Sequence, residues 1–273
     1  MKKVTDTLNP ICQTTKITRG LFPKLRLIYL YLTLSTKRWL GYKPEFKTFK
    51  KISVWKGNVS APFFLKRQLD FDVLRDAFAR DQYEISDTTG ETRTIFDFGS
   101  NVGATVVKFC LSYPRAKIYA VEPDQNNYVC LVKNTEFFKD RVVAINKAVS
   151  GTNGEKVAFY SGSQYHWSSS LFDRTKKYID NSTSVETVSI DCLFQEYNIE
   201  KVDILKCDIE GAEEKAFKNC TKLDRFHYIV GELHPTLIES STDDFLKIFR
   251  NFDLLSLDTG SWVFKLKNRL YKI

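Results

Sequence analysis

Three groups of residues in this chain could do chemistry together. Asp97-Phe98-Gly99-Ser100-Asn101-Val102-Gly103 sets an acid and two glycines at D-x-G-x-x-x-G spacing after a short apolar run. Glu122 stands 25 residues after Asp97 and ends a second apolar run. Lys206-Cys207-Asp208-Ile209-Glu210-Gly211-Ala212-Glu213 gathers a lysine and three acids, and Glu232 and His234 follow a later apolar run. Glycines let a backbone pass close to a ligand. An acid at the end of a strand accepts hydrogen bonds from ribose hydroxyls. A pyrophosphate loop would read G-x-G-x-x-G and offer a bare helix N-terminus to the anion. Asp97 stands where that loop begins and would repel a phosphate. A nucleoside with a cationic tail suits these acids, and S-adenosylmethionine, with its sulfonium and ammonium, is one. On this reading Asp97 faces the cationic amino acid end and Glu122 holds the ribose.

Methyl transfer from such a cofactor is an in-line displacement, helped by holding the acceptor atom about 3 Å from the methyl. Where the acceptor is a hydroxyl, a base that removes its proton adds roughly 10²–10⁴-fold. Asp208 and His234 are the candidate bases, with Glu232 placed to orient the imidazole. Glu210 is a candidate for binding sugar hydroxyls or helping to hold a metal, and the expectation is metal-independent catalysis. Glu213 falls at a helix start, where an acid is stabilised by the dipole. Gly211 supplies a permissive backbone.

The elements that must position these groups alternate. Thr94–Phe98 reads as a strand, Ala104–Leu111 as a helix opened by Gly103, and Lys117–Glu122 as a strand. Asn126–Phe138 reads as a helix and Val142–Ile145 as a strand. This rhythm means βαβ units and a parallel sheet covered on both faces. Val157–Tyr160 and Val185–Ile190 are strand-like with no helix between them. The long connection between them holds Tyr165, His166 and Trp167, and connections of that length are often functional. The alternation resumes with Val202–Asp208, a helix at 212–217, a strand at 228–232 and a helix at 243–249. Leu254–Leu257 and Trp262–Leu266 close the chain as an antiparallel pair at a sheet edge. Before residue 70 the pattern has no clear period, and one helix near 24–39 with irregular structure around it is expected. The chain therefore divides into a basic extension over 1–69 and an α/β domain over 70–273.

Of the 273 residues, 43% are hydrophobic, enough for one large domain with an appendage. The net charge of +8 is unevenly spread. Residues 1–51 hold 12 Lys/Arg against Asp6 and Glu45, a balance of +10, so the remainder sums to −2. A basic arm is drawn to phosphates of nucleic acid or of an anionic membrane. Leu27–Leu34 is an eight-residue apolar run flanked by Lys24, Arg26, Lys37 and Arg38, far short of the roughly 20 residues a span requires. It reads as a helix capping the main domain, with an interfacial helix as the alternative. Six cysteines without CxxC or zinc spacing read as reduced thiols. With no secretory h-region the expected location is cytoplasmic, with peripheral membrane contact through the basic segment.

"TIFDFGSNVGA", "VEPDQNNYVCLVKN", "SIDCL" and "VDILKCDIEGAEEKAF", in that order, resemble the FkbM family of methyltransferases. So do Ser168-Ser169-Ser170-Leu171 and "IVGELHP". The similarity runs over about residues 70–270. It implies a Rossmann-like methyltransferase sheet, mostly parallel with seven strands and an antiparallel edge strand, and O-methylation of sugar or polyketide hydroxyls. By position it implies Gly99, Ser100, Asn101 and Gly103 at the methionine end, Glu122 on the ribose, and Asn146-Lys147-Ala148 against adenine. Ser100 and Cys207 depart from the family's usual residues without removing a chemical group. The acceptor is read as a small molecule or glycan. A nucleic-acid methyltransferase using the basic arm and a non-catalytic adaptor are the rival readings. The catalytic body is slightly acidic and has no N-P-P-Y type motif for a flipped base, against the first. The intact acids and glycines argue against the second.

Overall fold

A computed structural model describes residues 12–13, 15–86, 88, 91–160 and 182–271. The run from Tyr165 to Leu171, singled out in the sequence, lies outside them.

After Gly20 comes α1 (Leu21–Trp39), which buries Leu27, Leu30 and Leu34. The stretch expected to be irregular is a β-hairpin. β1 (Glu45–Lys56) and β2 (Val59–Arg67) pair antiparallel across a two-residue turn at Gly57-Asn58. Ile52 and Val54 on β1 and Ala61, Phe63 and Leu65 on β2 alternate into the core, which gives the ribbon one apolar face. α2 (Leu69–Phe78) follows and buries Phe71, Leu74 and Phe78. Asp70 accepts the backbone N–H groups of Lys66 and Arg67, which fixes the entry to this helix.

The alternating part folds as its pattern implies. β3 (Thr94–Phe98), α3 (Ala104–Ser112), β4 (Lys117–Val121), α4 (Gln125–Thr135) and β5 (Val142–Ile145) build one half of a sheet. A small separate sheet holds β6 (Ala148–Val149), β7 (Lys156–Tyr160) and β8 (Ser182–Val188). α5 (Ile190–Glu196), β9 (Val202–Cys207), α6 (Glu213–Lys218), β10 (Phe226–Glu232), α7 (Thr242–Leu246), β11 (Phe252–Asp258) and β12 (Val263–Asn268) complete the other half. The seven-stranded order is β11-β12-β10-β9-β3-β4-β5. Only β12 is reversed; it pairs antiparallel with both β10 and β11, so the antiparallel strand lies one position in from the edge.

Successive residues of the central strands face opposite sides. Ile95, Ile118 and Ile204 join one apolar layer; Phe96, Tyr119 and Leu205 join the other. The first layer also contains Leu27, Leu30, Leu34, Val54 and Phe63, so the N-terminal segment covers that side of the sheet. β3 and β9 are parallel neighbours whose connections leave in opposite directions. A crevice opens beyond their carboxyl ends, where ligands of open α/β sheets bind.

Candidate active site

Two cavities meet at that crevice. The first lies between the loop after β3 and the ends of β4 and β6, and is walled by Val121, Pro123, Ala148, Val149 and Phe159 with Glu122, Asp208 and Glu210. The second opens on the other side of Asp208, towards α2, and is lined by Asp72, Asp76, Gln82, Tyr83, Lys206 and Glu232 among others. Gly99, Asn101, Asp208 and Glu210 line both.

Glu122 is buried. Its Oε2 accepts the Asn101 N–H at 2.8 Å, and its Oε1 accepts the Asp124 N–H at 2.9 Å and Asn127 Nδ2 at 3.4 Å. Burial pushes its carboxyl up to about 7 against these donors. A carboxylate has about four acceptor sites, so three donors leave room for roughly one more. A ribose diol would therefore displace the long Asn127 bond to be held at both oxygens. Asn127 is itself held by Arg67 at 2.9 Å, which ties the hairpin to this acid.

The glycines answer a different need from the one their spacing suggests. Gly99 has φ +73°, and a Cβ there would lie 1.8 Å from the Asp208 carbonyl oxygen. Gly103 has φ +86°, and its Cβ would meet Leu131 at 2.9 Å. Both are required by strand and helix packing, and Gly99 also reaches the cavity wall. Asn101 and Glu210 hold left-handed backbone, φ +50° and +56°, without being glycine, and Gly211 follows at +101°. Such conformations cost about 1–3 kcal/mol each and cluster at binding sites.

Asp97 lines neither cavity. It is fully buried, accepts a hydrogen bond from Thr105 Oγ1, and stands 3.4 Å from Lys206 Nζ, its direct cross-strand neighbour. Burial raises its carboxyl, while Lys206 and Thr105 oppose that. Burial pulls Lys206 down, but the charges of Asp97 and Asp208 outweigh it and hold the ammonium high. Lys206 also donates to the carbonyls of Phe98 at 3.1 Å and Gly99 at 2.8 Å and lies over the Tyr83 ring. It fastens the ends of β3 and β9 together and is committed as a cation. Ser100 is buried, bonded to the Asp97 carbonyl, and reaches only the second cavity.

Of the three residues after β5, only Ala148 reaches the first cavity. Asn146 donates to the carbonyls of Glu122 and Pro123 at 2.8 and 3.1 Å and so shapes the turn behind the acid. Lys147 is turned away to Glu186 at 2.7 Å.

Asp208 sits at the junction. Its backbone N–H bonds to the Phe98 carbonyl, and its Oδ2 accepts the Tyr83 hydroxyl at 3.0 Å and lies 3.7 Å from Lys206. His234 is oriented by Glu213, not by Glu232. Nδ1 lies 3.0 Å from the fully buried Glu213, while Nε2 is 3.3 Å from Glu210 and 3.9 Å from Glu232. Burial lowers the ring's basicity, but Glu213, Asp208 and Glu210 outweigh it and push His234 up to about 9. That shift favours the imidazolium, which has no lone pair for a substrate proton. Asp208, Glu210 and His234 also offer one atom each within 4.8 Å of one another, so a divalent cation could sit among them only in place of that ring proton. Burial and the charge of Asp208 push Glu232 up to about 7.

Sequence reasoning missed Asp72 and Asp76, which lie on α2, and Gln82 and Tyr83, which follow it. A lone tyrosine among polar residues was the one signal there. It also missed Phe159, a buried wall of the first cavity.

The profile of the methyltransferase FkbM domain family matches residues 97–258. Hexuronic acid methyltransferase AglP of Haloferax volcanii is 25% identical over 146 residues, which are 53% of this chain and 57% of that protein. The chain thus spans little over half the length of that relative. Among solved structures, the fibrillarin pre-rRNA processing protein of Methanococcus jannaschii is similar at 14% identity and TM-score 0.44, covering 82% of this chain and 84% of that one. TrmK of M. capricolum, in complex with S-adenosyl-homocysteine, is similar at 12% identity and TM-score 0.40, covering 70% of this chain and 69% of that one.

Proposed function

The chain belongs to the FkbM methyltransferase family, and from that premise we propose that it methylates a hydroxyl of a sugar or similar polyol from S-adenosylmethionine, with Asp208 as the base. Family and fold imply that cofactor. The first cavity suits it: three carboxylates, Glu122, Asp208 and Glu210, share the wall with apolar residues, and no lysine or arginine lines it among the described residues. Such a wall fits a ribose, a positive charge and a flat base. When bound, the cofactor supplies the methyl group. Glu122 would take the ribose hydroxyls, and Val149 and Phe159 would offer apolar surface to the base.

The position of Asp208 carries the proposal. It lines both cavities and so lies between donor and acceptor. Tyr83 and Lys206 hold its carboxylate in place. It would accept the acceptor hydroxyl's proton as the oxygen becomes nucleophilic. His234, held by Glu213, would keep Glu210 turned towards the junction.

The acceptor cleft holds Asp72, Asp76, Asp208, Glu210 and Glu232, and Lys206 is its lining cation among the described residues. Lys206 is spent on Asp97 and two carbonyls, His234 on Glu213 and Glu210, and Arg75 and Arg80 on Asp72 and Asp76, so each of these cations is already committed to an acid before an acceptor carboxylate arrives. The cleft therefore favours a neutral or amino-bearing sugar over a uronate, and it disfavours a polyanion such as nucleic acid. The test is a screen of neutral, amino and uronic sugars with labelled cofactor, beside Asp208→Asn. Turnover in the variant should fall by about 10²–10⁴-fold with cofactor affinity kept. Equal turnover sinks Asp208 as base, and a uronate as the best acceptor sinks the charge argument. Activity lost to EDTA and restored by Mg²⁺ sinks the metal-free reading.

A further inference from the structure

α1 carries two apolar faces, and the sheet uses only one. Leu27, Leu30 and Leu34 pack into the core. On the opposite side Phe22, Leu25, Tyr29, Leu32, Thr36 and Trp39 follow i, i+3, i+7, i+10, i+14 and i+17, which is one continuous stripe at helical pitch. That stripe faces solvent: Phe22 is 83% exposed, Tyr29 68% and Trp39 84%. Leu21, Leu40 and Tyr42 extend it at the two ends. Among the described residues, eight of the fifteen exposed large hydrophobic residues fall within residues 21–42. Exposed apolar surface this concentrated marks a docking site.

The charges say what docks. Residues 21–44 contain no Asp or Glu. Lys24 projects on one flank of the stripe and Arg26 on the other, by the same helical pitch, while Lys37 is held on the Glu45 carbonyl at 2.8 Å. A second copy seated on this stripe by two-fold symmetry would set these cations against their own kind. A bilayer spares that: the stripe enters the acyl boundary while lysines and arginines reach lipid phosphates on both sides. No described helix is long and apolar enough to cross a membrane, and the other face of α1 is occupied by the core.

We propose that α1 seats the protein on an anionic lipid surface through the stripe Phe22, Leu25, Tyr29, Leu32 and Trp39. The helix on which α1 rests is α2: Tyr31 packs on Phe71 at 5.5 Å between ring centres, and Gln68 bonds Ser35 at 3.2 Å. α2 lines the acceptor cleft with Asp72 and Asp76. One element therefore separates the lipid-seeking helix from the acceptor.

The experiment is vesicle flotation with phosphatidylcholine alone and with phosphatidylglycerol added, using the full chain. The wild type floats with the anionic vesicles and is released by high salt. The substitutions Phe22→Ser, Leu25→Ser and Trp39→Ser together weaken binding at least about tenfold, because three large apolar side chains no longer leave water. Lys24→Glu with Arg26→Glu removes the preference for anionic lipid. Anionic vesicles shift tryptophan emission to the blue, and Trp39→Phe, which keeps the apolar face, removes that shift. The substituted side chains are exposed, and far-UV circular dichroism checks that each variant is folded. Three results overturn the proposal: wild type that does not float with anionic vesicles, a triple-serine variant that floats equally well, or wild type that self-associates in sedimentation through the same three residues.

Discussion

The two cavities that meet at Asp208 are made differently. The proposed cofactor cavity is assembled from turns after β3, β4, β5 and β9, within the matched family domain, and those after β3, β4 and β9 each bring an acid or glycine on a short local motif. The acceptor cleft borrows α2 and the Gln82-Tyr83 stretch, all before residue 97. What is shared by a reaction is fixed by backbone at strand ends, where one residue settles the geometry. What distinguishes an acceptor is carried by side chains on an added layer, which can change without moving the sheet.

The largest effect should come from the backbone at the boundary. Gly99→Ala forces a Cβ to 1.8 Å from the Asp208 carbonyl, and the left-handed backbone alone adds about 1–3 kcal/mol. Both cavities should fail together: thermal unfolding shifts to lower temperature, and calorimetry finds cofactor binding lost. A variant that keeps the wild-type unfolding temperature would mean that β3 and β9 need no glycine contact there.

Tyr83→Phe should separate the cavities. The Tyr83 hydroxyl donates to Asp208 at 3.0 Å from the acceptor side, and a hydrogen bond to a charged group contributes about 1.5–3 kcal/mol. Acceptor kcat/KM should fall by about ten- to a hundredfold with cofactor affinity unchanged. If affinity for the cofactor falls equally, the two cavities are one unit and the comparison fails.

The same contrast explains what was legible beforehand. Asp97, Gly99, Gly103, Glu122 and Asp208 stand next to apolar runs of strand length, so pattern and chemistry pointed to one place. The hairpin was hidden although Ile52, Val54, Phe63 and Leu65 alternate, because a Gly57-Asn58 turn is a short signal amid lysines and breakers. Side-chain direction was the other blind spot. Asp97 looked like a ligand contact, but its cross-strand neighbour Lys206 claims it, and pairing between residues so far apart in sequence leaves no local trace. Lys147 likewise follows the turn yet faces Glu186. The orientation of His234 depends on Glu213, one helix away, while the neighbouring Glu232 in sequence is the weaker contact. The readings of Tyr165, His166 and Trp167 fall outside the described residues.

The smallest predicted effect comes from pH, and it belongs to the cofactor side alone. Burial holds the Glu122 carboxyl at about 7. Only its ionised form leaves an acceptor site for a hydroxyl beside the donors it already holds, so the proton must leave before the ribose is held well. Raising the pH through 7 therefore strengthens cofactor binding, and lowering it weakens binding by up to about tenfold per unit below that value. Calorimetry without acceptor isolates this group, because Glu232, also near 7, lines only the acceptor cleft. Glu122→Gln should bind more weakly and lose the pH dependence. If the slope persists in that variant, the titrating group is elsewhere and Glu122 serves the fold through Asn101 and Asp124 instead of the cofactor.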